Sequence, residues 1–400
     1  MLPVSARQTY LNTIGLQLDP FATPVAEQEI SSVPSPADLF LYYIPSPLSP
    51  LPENKTAFQT LRMPHHSFVY GEPGSGKTTL RLAVEADCRT ELDESLAVTY
   101  ELSDDIPLPL TEKDHWRRLA KAFAIDLFIQ VAEQFNSLES SPTREQISAL
   151  GQQIRVGERH LQRLIQQILD QPSPNQQRGI ASYWPSIGKS PVRYVAPSQH
   201  LLELIRQAQA SASEPPTSAG IQLLEEGLQA ARLWGFQRVF VLTDGVDARE
   251  RKPDAMLALL LPLLDSLGNW TDKPVYFKFF LPSELESVVI KHLPKLPDAP
   301  FRTIIKWKDE FLLQLVVQRF RSAGSRYTSL DQLAGHGLKG NLDALILRSS
   351  NGSPRRMLRI ISSLIDAHVT NAPHEPKFTT HDWNIMRQDW QYEPPLPVAL

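Results

Sequence analysis

The chain has one cysteine, Cys88, in 400 residues, which excludes an internal disulfide and fits a reducing compartment. Long apolar runs are missing as well. The most apolar window, residues 255–264, is too short to cross a bilayer and contains Pro262, so no membrane partner is expected. Excess charge of either sign is small. Forty basic residues against 44 acidic ones leave a net charge of −4, which argues against a surface given over wholly to nucleic acid while leaving local patches open. The opening Met1-Leu2-Pro3-Val4-Ser5-Ala6-Arg7 lacks the charged-then-apolar pattern of a signal peptide, and the expected location is the cytoplasm. No repeat of fixed period is evident.

Proline is abundant, with 34 residues. Pro20, Pro24, Pro34, Pro36, Pro45, Pro47, Pro50 and Pro52 mark residues 1–64 as a lead-in. It begins with a short helix near residues 6–14 and is expected to wrap on the following domain. The length exceeds one ordinary core. From His65 a strand–helix rhythm begins, with strands predicted at 67–70, 96–102, 238–243, 273–281 and 301–307 and a helix at 254–267. Between the second and third strands lies a helical insertion, residues 108–235. Its helices are predicted at 116–135, 147–169, 200–212 and 220–233, with a short ordered piece around Tyr183-Trp184. Residues 308–400 read as helices at 309–321, 341–349, 354–369 and 380–390. The expected fold is α/β, a parallel five-stranded sheet with helices on both faces, a helical insertion and a C-terminal helical lid. The core spans 65–307 and the lid 308–400.

The chemistry begins at Gly71-Glu72-Pro73-Gly74-Ser75-Gly76-Lys77-Thr78. This Gly-x-x-x-x-Gly-Lys-[Ser/Thr] phosphate-binding loop stands between a predicted strand and a predicted helix opening at Thr79, the context the motif needs. Gly71, Gly74 and Gly76 would let the backbone turn its N–H groups inward on a triphosphate, backed by the positive end of the helix. Lys77 is expected on the β- and γ-phosphates and the Thr78 hydroxyl on Mg²⁺. No Asn-Lys-x-Asp guanine-reading motif follows, so ATP is favoured over GTP. The run 238–243 ends in Thr243-Asp244-Gly245-Val246-Asp247. A carboxylate at the end of a later strand is the expected second metal ligand, and Asp244 is the natural choice. Many such ATPases carry Glu next to that acid to polarise water; Gly245 stands there instead. Asp247 or Glu250 are the substitutes, and slow turnover with the nucleotide as a switch fits as well as fast catalysis.

Near the C-terminus, Asn351-Gly352-Ser353-Pro354-Arg355-Arg356 opens a helix, with Ser353 as N-cap and Pro354 as its first residue. Arg355 and Arg356 then lie in a first turn, where a cation is unfavourable against the helix dipole and an anionic partner relieves it. Phosphate loop, Asp-Gly-x-Asp strand end and Gly-Ser-Pro-Arg-Arg lid together resemble the AAA+/STAND group of P-loop ATPases, especially the origin-recognition (initiator-clade) type and its bacterial relatives. Ile14-Gly15-Leu16-Gln17-Leu18-Asp19-Pro20-Phe21 is similar to the lead-in of bacterial transposition and secretion ATPases of that group. The likeness covers about 65–107 and 236–369. It implies strand order 5-1-4-3-2 and a "sensor 2" role for Arg355 at the γ-phosphate. It also implies a polar "sensor 1" after the fourth strand, where only Ser283 stands. Arg319, Arg321 and Arg326 all fall in the lid, so no arginine finger is assigned.

Other features read more plainly. His65-His66 have no Cys or acidic neighbours at ligand spacing and are expected on the surface. Trp116, Trp234, Trp270 and Trp307 read as packing residues, Cys88 as inert, and Phe311, Leu312, Leu315 and Val316 as lid core. The arginines of 319–327 read as a solvated helix end. The leading expectation is an ATP/ADP-dependent switch acting through a protein partner or self-assembly. A DNA-acting ATPase is less favoured, since the charge is acidic and residues 370–400 leave no room for a winged helix. A scaffold that binds nucleotide without hydrolysis is the third reading.

Overall fold

The runs 67–71 and 239–244 are buried without alternation, the pattern of strands covered on both faces. A computed structural model describes residues 5–22, 43–44, 47–52, 55–90, 95–102, 110–140, 220–248 and 251–392. Its strands form a mixed six-stranded sheet, mostly parallel and flanked by helices. They are β1 (Leu48–Ser49), β2 (Ser67–Gly71), β3 (Ser95–Glu101), β4 (Arg238–Asp244), β5 (Val275–Pro282) and β6 (Phe301–Ile305), ordered β1-β6-β2-β5-β4-β3. The five parallel strands expected from sequence are thus corrected to six in a mixed sheet. Two-residue β1 is too short to carry a period and hides among Pro45, Pro47, Pro50 and Pro52. With β1 set aside, the order is the one the resemblance implied. Parallel register places Tyr70 beside Leu281 and Ile304, and Glu101 beside Asp244.

The helices are α1 (Ala6–Thr13), α2 (Ala57–Leu61), α3 (Lys77–Thr90), α4 (Glu112–Ser140), α5 (Gly220–Leu233), α6 (Pro253–Ser266), α7 (Glu286–His292), α8 (Asp309–Ser322), α9 (Leu342–Ser350), α10 (Pro354–Asn371) and α11 (Thr380–Tyr392). The insertion helices expected at 147–169 and 200–212, and the piece around Tyr183-Trp184, lie outside the described residues. The chain divides into two units. One comprises Pro50–Gly71 and Leu80–Ile304; the other comprises Met1–Ser49, Glu72–Thr79 and Ile305–Leu400.

The sheet unit is built around Phe68, Phe279, Trp234 and Trp270, all buried. Phe68 and Phe279 stack across neighbouring strands at 4.8 Å. Strand β3 ends the sheet, and an edge strand leaves backbone groups without a ladder partner. Helix α4 supplies partners from side chains one turn apart. Asp126 accepts from the Thr99 N–H at 2.7 Å, while Gln130 accepts from the Ala97 N–H and donates to its carbonyl at 2.7 Å. The same helix is fastened by His115. Its Nε2 faces the Leu259 carbonyl on α6 and its Nδ1 the Tyr100 hydroxyl on β3, both at 2.6 Å. The carbonyl requires Nε2–H to donate, and burial, which lowers the His115 pKa, favours the neutral ring with Nδ1 accepting from the hydroxyl.

Lys278, on central strand β5, is fully buried. Its ammonium donates to the carbonyls of Met63 and His65 and to the Ser67 hydroxyl at 2.6–3.1 Å, so each N–H has an acceptor and the cost of burial is partly offset. Burial holds its pKa well below the ordinary lysine value. Beside it, His66 is buried and not on the surface as expected; its Nδ1 accepts from the Phe277 N–H at 3.1 Å. Burial, then the Lys278 charge, lowers the His66 pKa to about 4. The unfolded state binds the proton more readily, so His66 contributes stability that is present above the unfolded value near 6.5 and is lost as pH falls towards 4. Urea unfolding is expected to show about 2 kcal/mol less stability at pH 5 than at pH 7.5 from this residue. His66→Asn, which keeps an acceptor in place of Nδ1, should reduce that loss. An equal pH dependence in both proteins would count against the assignment. Cys88 is buried too, and desolvation pushes its thiol up to about 12, in keeping with an inert residue.

The helical unit gathers both ends of the chain. Of the lead-in 1–64, read from sequence as wrapping on the following domain, residues 1–49 group with the C-terminal helices and 50–64 with the sheet unit. Arg7 on α1 reaches Asp19, and on α10 it reaches Asp366 and the Ser362 carbonyl and hydroxyl. Tyr10 packs edge-on against His368 at 4.8 Å, and Phe21 against Phe320 at 5.4 Å. Leu312, Leu315 and Val316 are buried as lid core. Arg319 departs from the solvated helix end foreseen for it: it is buried and donates to the Pro20 carbonyl at 2.6 Å, while Arg321 and Arg326 are exposed.

Candidate functional site

The loop 72–79 lies in the helical unit and is shaped by two glycines. Gly74 and Gly76 have φ of 78° and 93°, a region where a side chain is strained. Gly71 is different: it is the last residue of β2, opposite Pro282, and belongs to the sheet unit. The Ser75 N–H turns back to the Glu72 carbonyl at 3.0 Å, and the Lys77 ammonium bonds the same carbonyl at 3.3 Å. Lys77 opens α3 and is buried, with Thr78 and Thr79 half-buried after it; Glu72 and Pro73 are exposed. The Ser75 hydroxyl is buried with no hydrogen-bond partner among the described residues.

Two residues of the C-terminal region meet this loop. Trp307 donates its indole N–H to the Ser75 carbonyl at 2.7 Å, so its role is not packing alone; Trp116, Trp234 and Trp270 are buried in the sheet unit. Helix α10 begins as predicted, with Ser353 as N-cap accepting from the Arg356 N–H and Pro354 at its first position. The Arg355 N–H faces the Gly74 carbonyl at 3.4 Å. A Cβ on Gly74 would stand 3.1 Å from both the Arg355 Cβ and the Ser353 hydroxyl. The Arg355 guanidinium is half-buried and makes no hydrogen bond or ion pair among the described residues.

Asp244, Asp247 and Ser283 belong to the sheet unit. Asp244 ends β4 and is buried; its Oδ1 accepts from the Gly245 N–H at 2.8 Å and its Oδ2 from Arg81 Nε at 3.2 Å. Asp247 is half-buried in the turn that Gly245, with φ 77°, makes possible. Arg251 braces this turn by donating to the carbonyls of Leu102 and Val246 at 2.6 and 3.1 Å. Ser283 starts a short 3₁₀ turn after β5. Glu250 lies outside the described residues.

The sequence reading missed Arg81. It is 2% exposed and forks to three carboxylates: Asp244, Glu85 at 3.2 Å and Glu101 at 3.0 Å. Glu85 is held independently by the Thr99 hydroxyl at 3.0 Å and lies 3.7 Å from Arg89. A signal was present: Arg81, Glu85 and Arg89 recur every fourth residue along α3, which stacks them on one face. Among the described residues no group of three or more His, Cys, Asp or Glu is placed to hold a metal, and no helix is long and apolar enough to cross a membrane. No protein-family model matches the chain, and no curated protein matches it in sequence.

Proposed function

We propose that the chain is an ATP-binding, slowly hydrolysing molecular switch of the AAA+/STAND-like P-loop type, acting through protein assembly or signalling. The observation that carries the reading is the junction of loop and lid within one unit. Arg355, whose guanidinium has no partner among the described residues, is rooted where its own backbone N–H meets the Gly74 carbonyl. A cation in the first turn of a helix is unfavourable unless an anion lies close by. The residues present fit a triphosphate. Gly74 and Gly76 bend the loop, the Ser75 hydroxyl is buried without a partner, and the Lys77 ammonium rests on a neutral carbonyl that a phosphate oxygen would outcompete.

In this reading the 71–79 backbone holds the phosphates, Lys77 neutralises the β- and γ-groups, and Arg355 distinguishes ATP from ADP. Thr78 and Asp244 are the protein's ligands for Mg²⁺. Few protein ligands suffice, because Mg²⁺ takes much of its coordination from phosphate and water. Bound Mg²⁺ would supply charge neutralisation on the transferred group. Asp247, in a turn braced by Arg251, is the acid available to orient water, and with glycine at 245 it makes for slow turnover. ATP is expected to raise the melting temperature more than ADP. Arg355→Ala should erase the difference while keeping the ADP effect. A wild-type melting curve indifferent to both nucleotides would overturn the proposal.

A further inference from the structure

We infer that Arg81 is a built-in competitor for the divalent cation at Asp244, so that metal reaches this carboxylate only when the guanidinium withdraws to Glu85 and Glu101. This rests on the reading of Asp244 as a metal-side carboxylate and concerns how that site is regulated. Both Asp244 oxygens already accept hydrogen bonds, one of them from the Arg81 cation at 3.2 Å. A second cation at that oxygen must meet the first in a setting where neither is well screened, since Arg81 and Asp244 are both buried.

The guanidinium also has somewhere else to go. Glu85 is positioned by Thr99 and Arg89 without help from Arg81. Glu101 is 52% exposed and able to follow a moving partner. Release of Asp244 therefore gives up one pairing of three and leaves no buried charge alone, which is the outcome that makes breaking a buried pair costly. An arginine with Asp244 as its sole partner would be a fixed plug. This one has two arrangements of similar chemistry, the requirement for a switch. Arg81 is thus a positioning residue and touches no phosphate in this scheme.

Mn²⁺ binding to the full-length protein, followed by the loss of the free-ion paramagnetic resonance signal, tests the inference without an activity assay. In the absence of nucleotide, Arg81→Gln should bind Mn²⁺ at least about tenfold more tightly than wild type, and Arg81→Gln with Asp244→Asn should lose that gain. Glu101→Gln should act in the opposite direction, because a guanidinium with one anchor fewer stays on Asp244. It should weaken Mn²⁺ binding in the presence of ATP about threefold or more. A purely structural role for Arg81 predicts no such opposition of sign, and the Glu101 variant stands even where Arg81→Gln fails to fold. If wild type binds Mn²⁺ with ATP through Asp244 and the variants leave affinity unchanged, the competitor role is overturned while the nucleotide reading survives. If Mn²⁺ with ATP does not bind wild type at all, both are overturned.

Discussion

Lys77→Ala is expected to lower ATP affinity roughly a hundredfold, on the scale of losing charge-assisted hydrogen bonds to phosphate. It should also abolish the rise in melting temperature that ATP produces. The melting temperature of the protein alone should move little, because the 3.3 Å bond from the side chain to the Glu72 carbonyl is long and has a neutral acceptor. That contrast makes the measurement decisive. Loss of the nucleotide effect with the apoprotein intact assigns Lys77 to the ligand. A parallel fall in intrinsic stability would make it a structural lysine, and unchanged ATP binding would remove it from the site.

Gly74→Val should lose both nucleotide binding and stability, the latter by about 3 kcal/mol. Two costs combine. The backbone at φ 78° is strained for any L-residue with a side chain, and a Cβ would meet Arg355 and Ser353 at 3.1 Å. Gly340→Ala separates these costs, since Gly340 has φ 79° and open space around its Cβ position. Its loss of stability should be about 1 kcal/mol, the backbone term alone. Gly74→Ala should exceed that figure, and equal losses at the two sites would show that loop and lid accommodate a methyl group freely. Both are read by urea unfolding with and without ATP.

These two residues were visible in the sequence because glycine spacing is a backbone signal, legible without knowing what packs nearby. The strands of the sheet were legible for a similar reason: β4 carries the apolar run 239–242, and β5 is apolar on both sides of Lys278. Arg355 was readable through its cap, where Ser353 and Pro354 announce a helix start and put the arginine in the wrong place for a dipole. What escaped was buried charge. Arg81 and Asp244 are separated by 163 positions, and Lys278 lies 215 positions from Met63. A charged residue reads as solvent-facing until folding brings its partners. Trp307 was read as packing because a tryptophan's indole N–H is silent until its acceptor, Ser75, is known. His66 misled in the same way, its acceptor role depending on a backbone N–H of β5.

The side-chain covering of β3 limits how this chain can meet another. Strand addition is a common route to assembly, in which an incoming segment borrows the free backbone groups of a sheet edge. The Ala97 N–H and carbonyl are already paired to Gln130 and the Thr99 N–H to Asp126, and an intruding strand would have to lift α4 first. A second chain that meets this border must therefore dock on side chains. Conditions that loosen α4 would turn the border adhesive, converting a guarded edge into a template for clumping.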